Sequence, residues 1–408
     1  MSLIKNKKYQ FLLIVTVGFI FYIFYPQLFW EITVTPHTSL ESLMPATSSF
    51  PSGTAKHPAH TFSQDFFDLR YLQYLSGYYE SFFLTSDELY NSYKNHSSMM
   101  KISYPRIWIG ISHFINIESD KVMYTLYFII FLLYSNIFFY YIKITNSYFF
   151  FYLYFSGVNL LLLERGNVDI ILIVLLFYSL MSKYKFLNYV GYLITSFLKY
   201  YPVFGLFYFL KNKKSIITIL LLSMIFAIYV FITWEDILNV ASANGKNGSS
   251  AYGFLSMTIN IKKYFDIDVN NIMIMFINLL FVLLLYKLKF KKKLVSTNFQ
   301  YCEIFLLGGG VYIFTFLMDT HHDYRMMFLL FCVPLILIMK DRNFKFFYII
   351  VIILAFELQK LIFLFGFWGG AINTLSKLIL FYLTSIVYLN IIEKKLTKII
   401  NLKNIINE

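Results

Sequence analysis

Cysteine, arginine and charge in general are scarce in this chain, and each shortage excludes something. Its two cysteines, Cys302 and Cys332, both fall inside apolar runs, so there is no disulfide framework and no cysteine-based metal site to expect. Charged residues make up 14 % of the chain against 58 % hydrophobic and 21 % aromatic, and so little polar surface cannot cover a soluble domain of 408 residues. No Walker loop or Rossmann fingerprint occurs, because Gly308-Gly309-Gly310 lies in an apolar run and reads as a helix-packing site. ATP and nucleotide sugars are not expected as direct substrates.

What remains is apolar and basic. A net charge of +13 would suit nucleic acid, but the lysines form short clusters between apolar runs, as cytoplasmic loops do. No nucleic-acid partner is expected. The expected class is an all-α, polytopic helical membrane protein, a single integral membrane domain over residues 1–408. The bias toward Phe, Tyr, Ile, Lys and Asn fits an AT-rich bacterial genome, so the expected location is the bacterial cytoplasmic membrane.

Runs long enough to cross about 30 Å of hydrocarbon occur near residues 11–30, 121–142, 148–164, 167–182, 215–234, 271–290, 300–319, 325–340, 346–366 and 374–392. The stretch 186–210 is broken by Lys199-Tyr200-Tyr201-Pro202 into two short halves, so ten to twelve crossings are expected. Residues 102–117 read as a helix lying in or dipping into the interface. Lysine clusters at Lys5 to Lys8, Lys183 and Lys185, Lys211 to Lys214, Lys289 to Lys293, Lys340 to Lys345 and Lys394 to Lys398 all fall inside under one threading. The first apolar run has no small-residue cleavage site and reads as a retained anchor, which makes both termini cytoplasmic. Residues 31–120 then form a first extracytoplasmic loop with interfacial helices, and residues 235–270 a second.

That threading puts Trp30, Trp108, Trp234 and Trp368 at outer ends of apolar runs, where indoles can sit among headgroups. It also sends all seven histidines outside. Of only five arginines, Arg70, Arg106, Arg165 and Arg325 lie outside against the usual bias. A planar, permanently charged guanidinium suits phosphate; snorkelling side chains are the plainer account.

Several strings can carry chemistry. Glu164-Arg165-Gly166-Asn167-Val168-Asp169 places three charges in an apolar stretch, a costly arrangement unless it sits at a membrane edge, pairs internally or lines a wet cavity. Gly166 permits a tight turn, and Asn167 either caps the following helix or contacts substrate. Asp65 and Asp68 lie three apart at the start of an apparent helix; each is either a partly desolvated base or an N-terminal cap. Lys199 can meet an anionic headgroup. His321-His322-Asp323-Tyr324-Arg325 lies between spans, but the neighbouring histidines lack a convincing third and fourth metal ligand. Asp266-Ile267-Asp268 reads as a solvated loop, and no metal is expected.

In order along the chain, Asp65, Tyr104-Pro105, Gly166-Asn167, Lys199-Tyr200-Tyr201-Pro202, the Asn247-Gly248-Ser249-Ser250 loop and His322-Asp323-Tyr324-Arg325 resemble glycosyltransferase family 87 of the GT-C superfamily. The resemblance covers roughly Asp65 to Pro334. The chain departs from the family pattern at Arg165-Gly166, where Gly-Gln is commoner, and at Arg106, where a second Pro is. The resemblance implies a GT-C-like fold and a metal-independent, inverting transfer of one sugar from a polyprenyl-phosphate donor to a lipid-linked or cell-surface glycan acceptor. No cofactor is implied; the partners are the polyprenyl-phosphate-linked sugar, the glycan or glycolipid acceptor and membrane lipids. Asp65 is the position matching the family's general base, with Asp68 as the alternative. Arg165, Lys199, His322 and Arg325 are expected to clamp the donor phosphate. Tyr104, Arg106, Asn167, His321 and Asn247 are expected to make further substrate contacts. An O-antigen or capsule-type glycan polymerase would place its large loops later in the chain. A flippase or transporter would place polar groups near the midplane.

Overall fold

The computed structural model describes residues 105–115, 119–164, 166–243, 251–266, 268, 270–288, 299–318, 321–357, 361, 364–365 and 367–406. Within them the chain is almost entirely helical, as expected. α1 (Ile107–Phe114), α2 (Asp120–Thr145), α3 (Phe149–Tyr154), α4 (Gly157–Glu164), α5 (Val168–Met181) and α6 (Lys185–Leu198) lead to the 3₁₀ helix η1 (Tyr201–Phe209). There follow α7 (Lys213–Ile232), α8 (Trp234–Ala243), the strand β1 (Ala251–Tyr252), α9 (Phe254–Phe265), α10 (Asn271–Leu288) and α11 (Phe299–Met318). The strand β2 (His321–His322), a second 3₁₀ helix η2 (Asp323–Phe331), α12 (Val333–Leu337), α13 (Arg342–Phe356) and α14 (Phe367–Ile406) complete the order. β1 and β2 pair antiparallel, with Ala251 opposite His322 and Tyr252 opposite His321.

Among the described residues, four helices are long and apolar enough to cross a membrane: Lys121–Thr145, Lys213–Ile232, Gln300–Met318 and Trp368–Ile399. α7 makes the physical case most plainly, since only Ser215 and Leu222 of its side chains are buried while Phe231 is 83 % exposed and Ile232 75 %. Apolar surface on that scale is not tolerated in water. Toward the interior the core is dense and aromatic, with Tyr134, Phe138, Phe305, Phe316 and Phe328 fully buried.

Three apolar runs fold differently from a straight crossing. At 186–210 the break is a reversal: the Tyr192 hydroxyl donates to the Val203 carbonyl at 2.6 Å, and the Tyr189 ring lies 5.3 Å from that of Phe209. α6 and η1 are thus the two arms of a hairpin. The run 148–164 is interrupted between α3 and α4, where Ser156 Oγ donates to the Leu153 carbonyl at 2.8 Å and Asn159 Nδ2 to the Tyr154 carbonyl at 2.7 Å. Side chains there take over bonds that a continuous helix would make with its backbone. The run 325–340 begins as η2.

Nine-residue 3₁₀ helices are unusual, because the tighter winding bonds poorly and runs beyond three or four residues are uncommon. η1 and η2 both pack against the glycine triplet of α11. A Cβ at Gly310 would lie 2.2 Å from the Phe204 carbonyl oxygen, and one at Gly308 2.3 Å from that of Phe328. Glycine lets both backbones approach, which bears out the packing role read from the sequence. The consequence for function is positional. Lys199 just precedes η1 and Arg325 opens η2, so anchoring both to α11 brings their starts to one end of the bundle. Lys211, Glu303 and Lys395 gather at the other: Lys211 pairs with Glu303 at 3.0 Å, and Lys395 Nζ donates to the Leu210 carbonyl at 2.8 Å.

Candidate functional site

The site begins at a turn. Gly166 has φ 55°, the left-handed region that glycine enters without strain, and its N–H closes on the Leu163 carbonyl at 3.0 Å. The reversal puts Asn167 at the N-cap of α5, where its side-chain oxygen accepts from the Asp169 N–H at 2.9 Å. Asn167 is therefore a cap. Its neighbour Asp169 occupies the first turn, where free amides and the helix dipole favour a carboxylate.

Asp169 is fully buried at 0 % exposure, and its charge is met by two cations from elsewhere in the chain. Lys199 Nζ donates to Asp169 Oδ1 at 2.5 Å, with 7 % of the lysine side chain exposed. Arg325 Nε stands 3.8 Å from Oδ2, with 15 % of its side chain exposed. That is a charge contact, too long for a hydrogen bond. Both cations also face one aromatic ring, Tyr201, with Lys199 Nζ 5.8 Å from its centroid and Arg325 Cζ 5.1 Å. A π face attracts cations at these distances, so Tyr201 steadies them without neutralising either. Phe328 meets the Tyr201 ring edge-on at 5.6 Å and holds it against η2.

A second ion pair walls the same end. Arg106 Nε and Nη2 donate to the two oxygens of Asp236 at 2.9 and 2.7 Å, the forked geometry that suits guanidinium to carboxylate. The Trp108 indole donates to the Leu198 carbonyl at 2.8 Å, so α1 docks on the end of α6 beside Lys199. Trp108 is 3 % exposed and is buried in protein, whereas Trp234 at 54 % and Trp368 at 68 % have the exposure of headgroup-level indoles. The β1–β2 ladder ties the second loop to the His321-His322 backbone, which ends three positions before Arg325.

Lys199 and Arg325 are thus brought together, and Arg106 is committed to Asp236. His321 and His322 are placed by their backbone in β2. Asp65, Asp68, Tyr104, Arg165 and Asn247 lie outside the described residues. Asp268, of the Asp-Ile-Asp string, pairs with Lys262 at 2.6 Å on an exposed surface. That carboxylate holds the lysine pKa above its ordinary value, and such exposed pairs contribute little to stability.

Sequence reasoning located Asp169 at the start of a helix but gave it no partner, and it gave no role to Tyr201 or Asp236. The signal for Asp169 was its acid in an otherwise apolar helix. A separate group went unnoticed: Glu357 is 7 % exposed, Lys377 3 %, and Asn373 and Asn159 0 %. The Gly157 N–H donates to Glu357 Oε2 at 3.3 Å, and Asn373 Nδ2 donates to the Leu354 and Ala355 carbonyls at 2.7 and 2.9 Å, closing the end of α13. These residues lie among apolar helices and bear on any transport role.

Lys199, Arg325 and Asp169 together sum to one unit of positive charge at this end of the bundle. Comparison of the chain with protein-family models, with curated proteins and with solved structures matches none of them.

Proposed function

We propose that this protein is a polytopic membrane glycosyltransferase of GT-C-like fold that moves one sugar from a polyprenyl-phosphate donor to a lipid-linked or cell-surface glycan acceptor on the extracytoplasmic face. The observation that carries the reading is the convergence of Lys199 and Arg325 on the buried Asp169. A leaving polyprenyl phosphate gains negative charge as the sugar departs, and preplaced cations stabilise that charge. Arg165, next in sequence to Gly166, and His322, three positions before Arg325, complete the proposed clamp. Asp65, or Asp68 in its place, takes the acceptor proton, and no metal takes part. The family resemblance of the ordered strings, from Asp65 to His322-Asp323-Tyr324-Arg325, supports the same reading.

The test is transfer in proteoliposomes. A panel of radiolabelled polyprenyl-phosphate hexoses and pentoses with a lipid-linked oligosaccharide acceptor should give labelled acceptor and free polyprenyl phosphate, with EDTA present throughout. Asp65→Asn should lower the rate by about 10²- to 10⁴-fold. Failure of every donor in the panel would remove the reading, and full activity in Asp65→Asn would remove the base assignment.

One observation favours a second reading, a polysaccharide flippase or transporter. Buried Lys377 on α14 and buried Glu357 at the end of α13 resemble the intramembrane groups that mark substrate or proton paths. Glycan movement across sealed vesicles without any new glycosidic bond would select it.

A further inference from the structure

We propose that Asp169 is a specificity residue of the cation pair, one that tunes the site toward singly charged phosphodiesters and against doubly charged phosphate monoesters and diphosphates. The inference rests on the reading that Lys199 and Arg325 receive the donor phosphate. Lys199 and Arg325 each meet Asp169, and the three together carry one net positive charge, to which the proposed Arg165 would add. The adjoining Arg106–Asp236 pair adds none. Whatever other groups border the site, Asp169 takes one unit of positive charge from it, and does so from full burial, where charge is weakly screened.

The donor chemistry gives that unit a purpose. A polyprenyl-phosphate sugar is a phosphodiester with one negative charge. During transfer the bond from the anomeric carbon to the phosphate oxygen breaks, its electron pair stays on that oxygen, and the acceptor oxygen bonds to the anomeric carbon and gives its proton to the base. The product polyprenyl phosphate is a monoester carrying about 1.5 to 2 negative charges near neutral pH. A site with two uncompensated cations would hold that product, or a diphosphate-linked glycan, more tightly than the donor. Asp169 reduces this excess, and it opposes retention of the product.

The experiment measures binding of two probes, farnesyl-phosphoryl-glucose and farnesyl phosphate, to the full chain in nanodiscs of neutral phosphatidylcholine at pH 7.5. Asp169→Asn should shift the affinity ratio toward farnesyl phosphate by roughly tenfold or more. The double variant Asp169→Asn with Lys199→Met returns the net charge to that of the natural chain and should return the ratio to near its original value, which loss of shape alone would not do. If Asp169→Asn alone does not fold, Lys199→Met is compared with the double variant, and the ratio should move toward farnesyl phosphate between them. An unchanged ratio in either comparison overturns the inference while leaving the donor site standing. Binding of neither probe to the natural chain overturns both.

Discussion

Asp169 has no exposed surface, and Lys199 and Arg325, held against it, offset much of the cost of burying a charge there. Removing one partner of a buried pair costs about 3 to 5 kcal/mol, since the survivor is left uncompensated. Lys199→Met should therefore lower the unfolding temperature in detergent as well as donor affinity. Arg325, more exposed and farther from the carboxylate, is the better probe of binding alone: Arg325→Ala should weaken donor binding by roughly tenfold or more with a smaller thermal shift. Equal thermal shifts in the two variants would contradict this division of roles. At this scale the sequence was partly legible. The turn at Gly166 and the cap at Asn167 follow from rules acting over a few residues. The partners of Asp169 do not, because Lys199 and Arg325 reach it from other helices and nothing local distinguishes a paired acid from a free one.

At the scale of elements the decisive contact is backbone on backbone. Gly310 meets η1 and Gly308 meets η2, and a methyl group at either position would push a 3₁₀ helix, with its cation, away from Asp169. Gly310→Ala is expected to destabilise the protein by about 1 to 3 kcal/mol. Gly370→Ala, on α14 where a Cβ meets nothing within 4 Å, serves as the control and should leave stability unchanged or raise it by up to about 1 kcal/mol. Thermal unfolding of the two side by side checks the difference. The glycine triplet was recognisable as a packing site in the sequence, yet the 3₁₀ winding of the segments it receives was not. Tyr201–Phe209 is as apolar and aromatic as the α-helical runs, and Asp323–Phe331 becomes so beyond Arg325, so composition does not separate their winding from an α-helix. The interruption after Tyr154 was hidden for a related reason: Ser156 and Asn159 act as local bonding partners inside an apolar run, and a hydropathy reading averages over them.

For the molecule as a whole, the exposed apolar faces of α7 and α10 and the four long apolar helices are consistent with burial in lipid. A charge on such a face should obstruct insertion: Leu220 is 63 % exposed on α7, and Leu220→Lys should cost about 3 kcal/mol on insertion scales. Its proportion in the carbonate-resistant membrane fraction should fall, and full retention would argue that α7 faces protein or water. Orientation is open to the same kind of measurement. Both native cysteines are buried, so background labelling will be low; Trp234→Cys should react with an impermeant maleimide from outside, and Lys183→Cys only after permeabilisation. The reverse pattern would invert the threading drawn from the lysine clusters.

The segments that meet at Asp169 are short. α5 and α6 have 14 residues each, about 21 Å of α-helix, and η1 has 9, about 18 Å at the 3₁₀ rise. A bilayer offers about 30 Å of hydrocarbon, and α7 and α11, with 20 residues each, match it. α5 is largely enclosed by protein and η1 packs on α11, whereas α6 exposes Phe186, Leu187 and Ile194. A bilayer of about 30 Å meeting the exposed face of α6 would thin beside that shorter helix. Such thinning would shorten the distance from a lipid phosphate to Lys199, which directly follows α6.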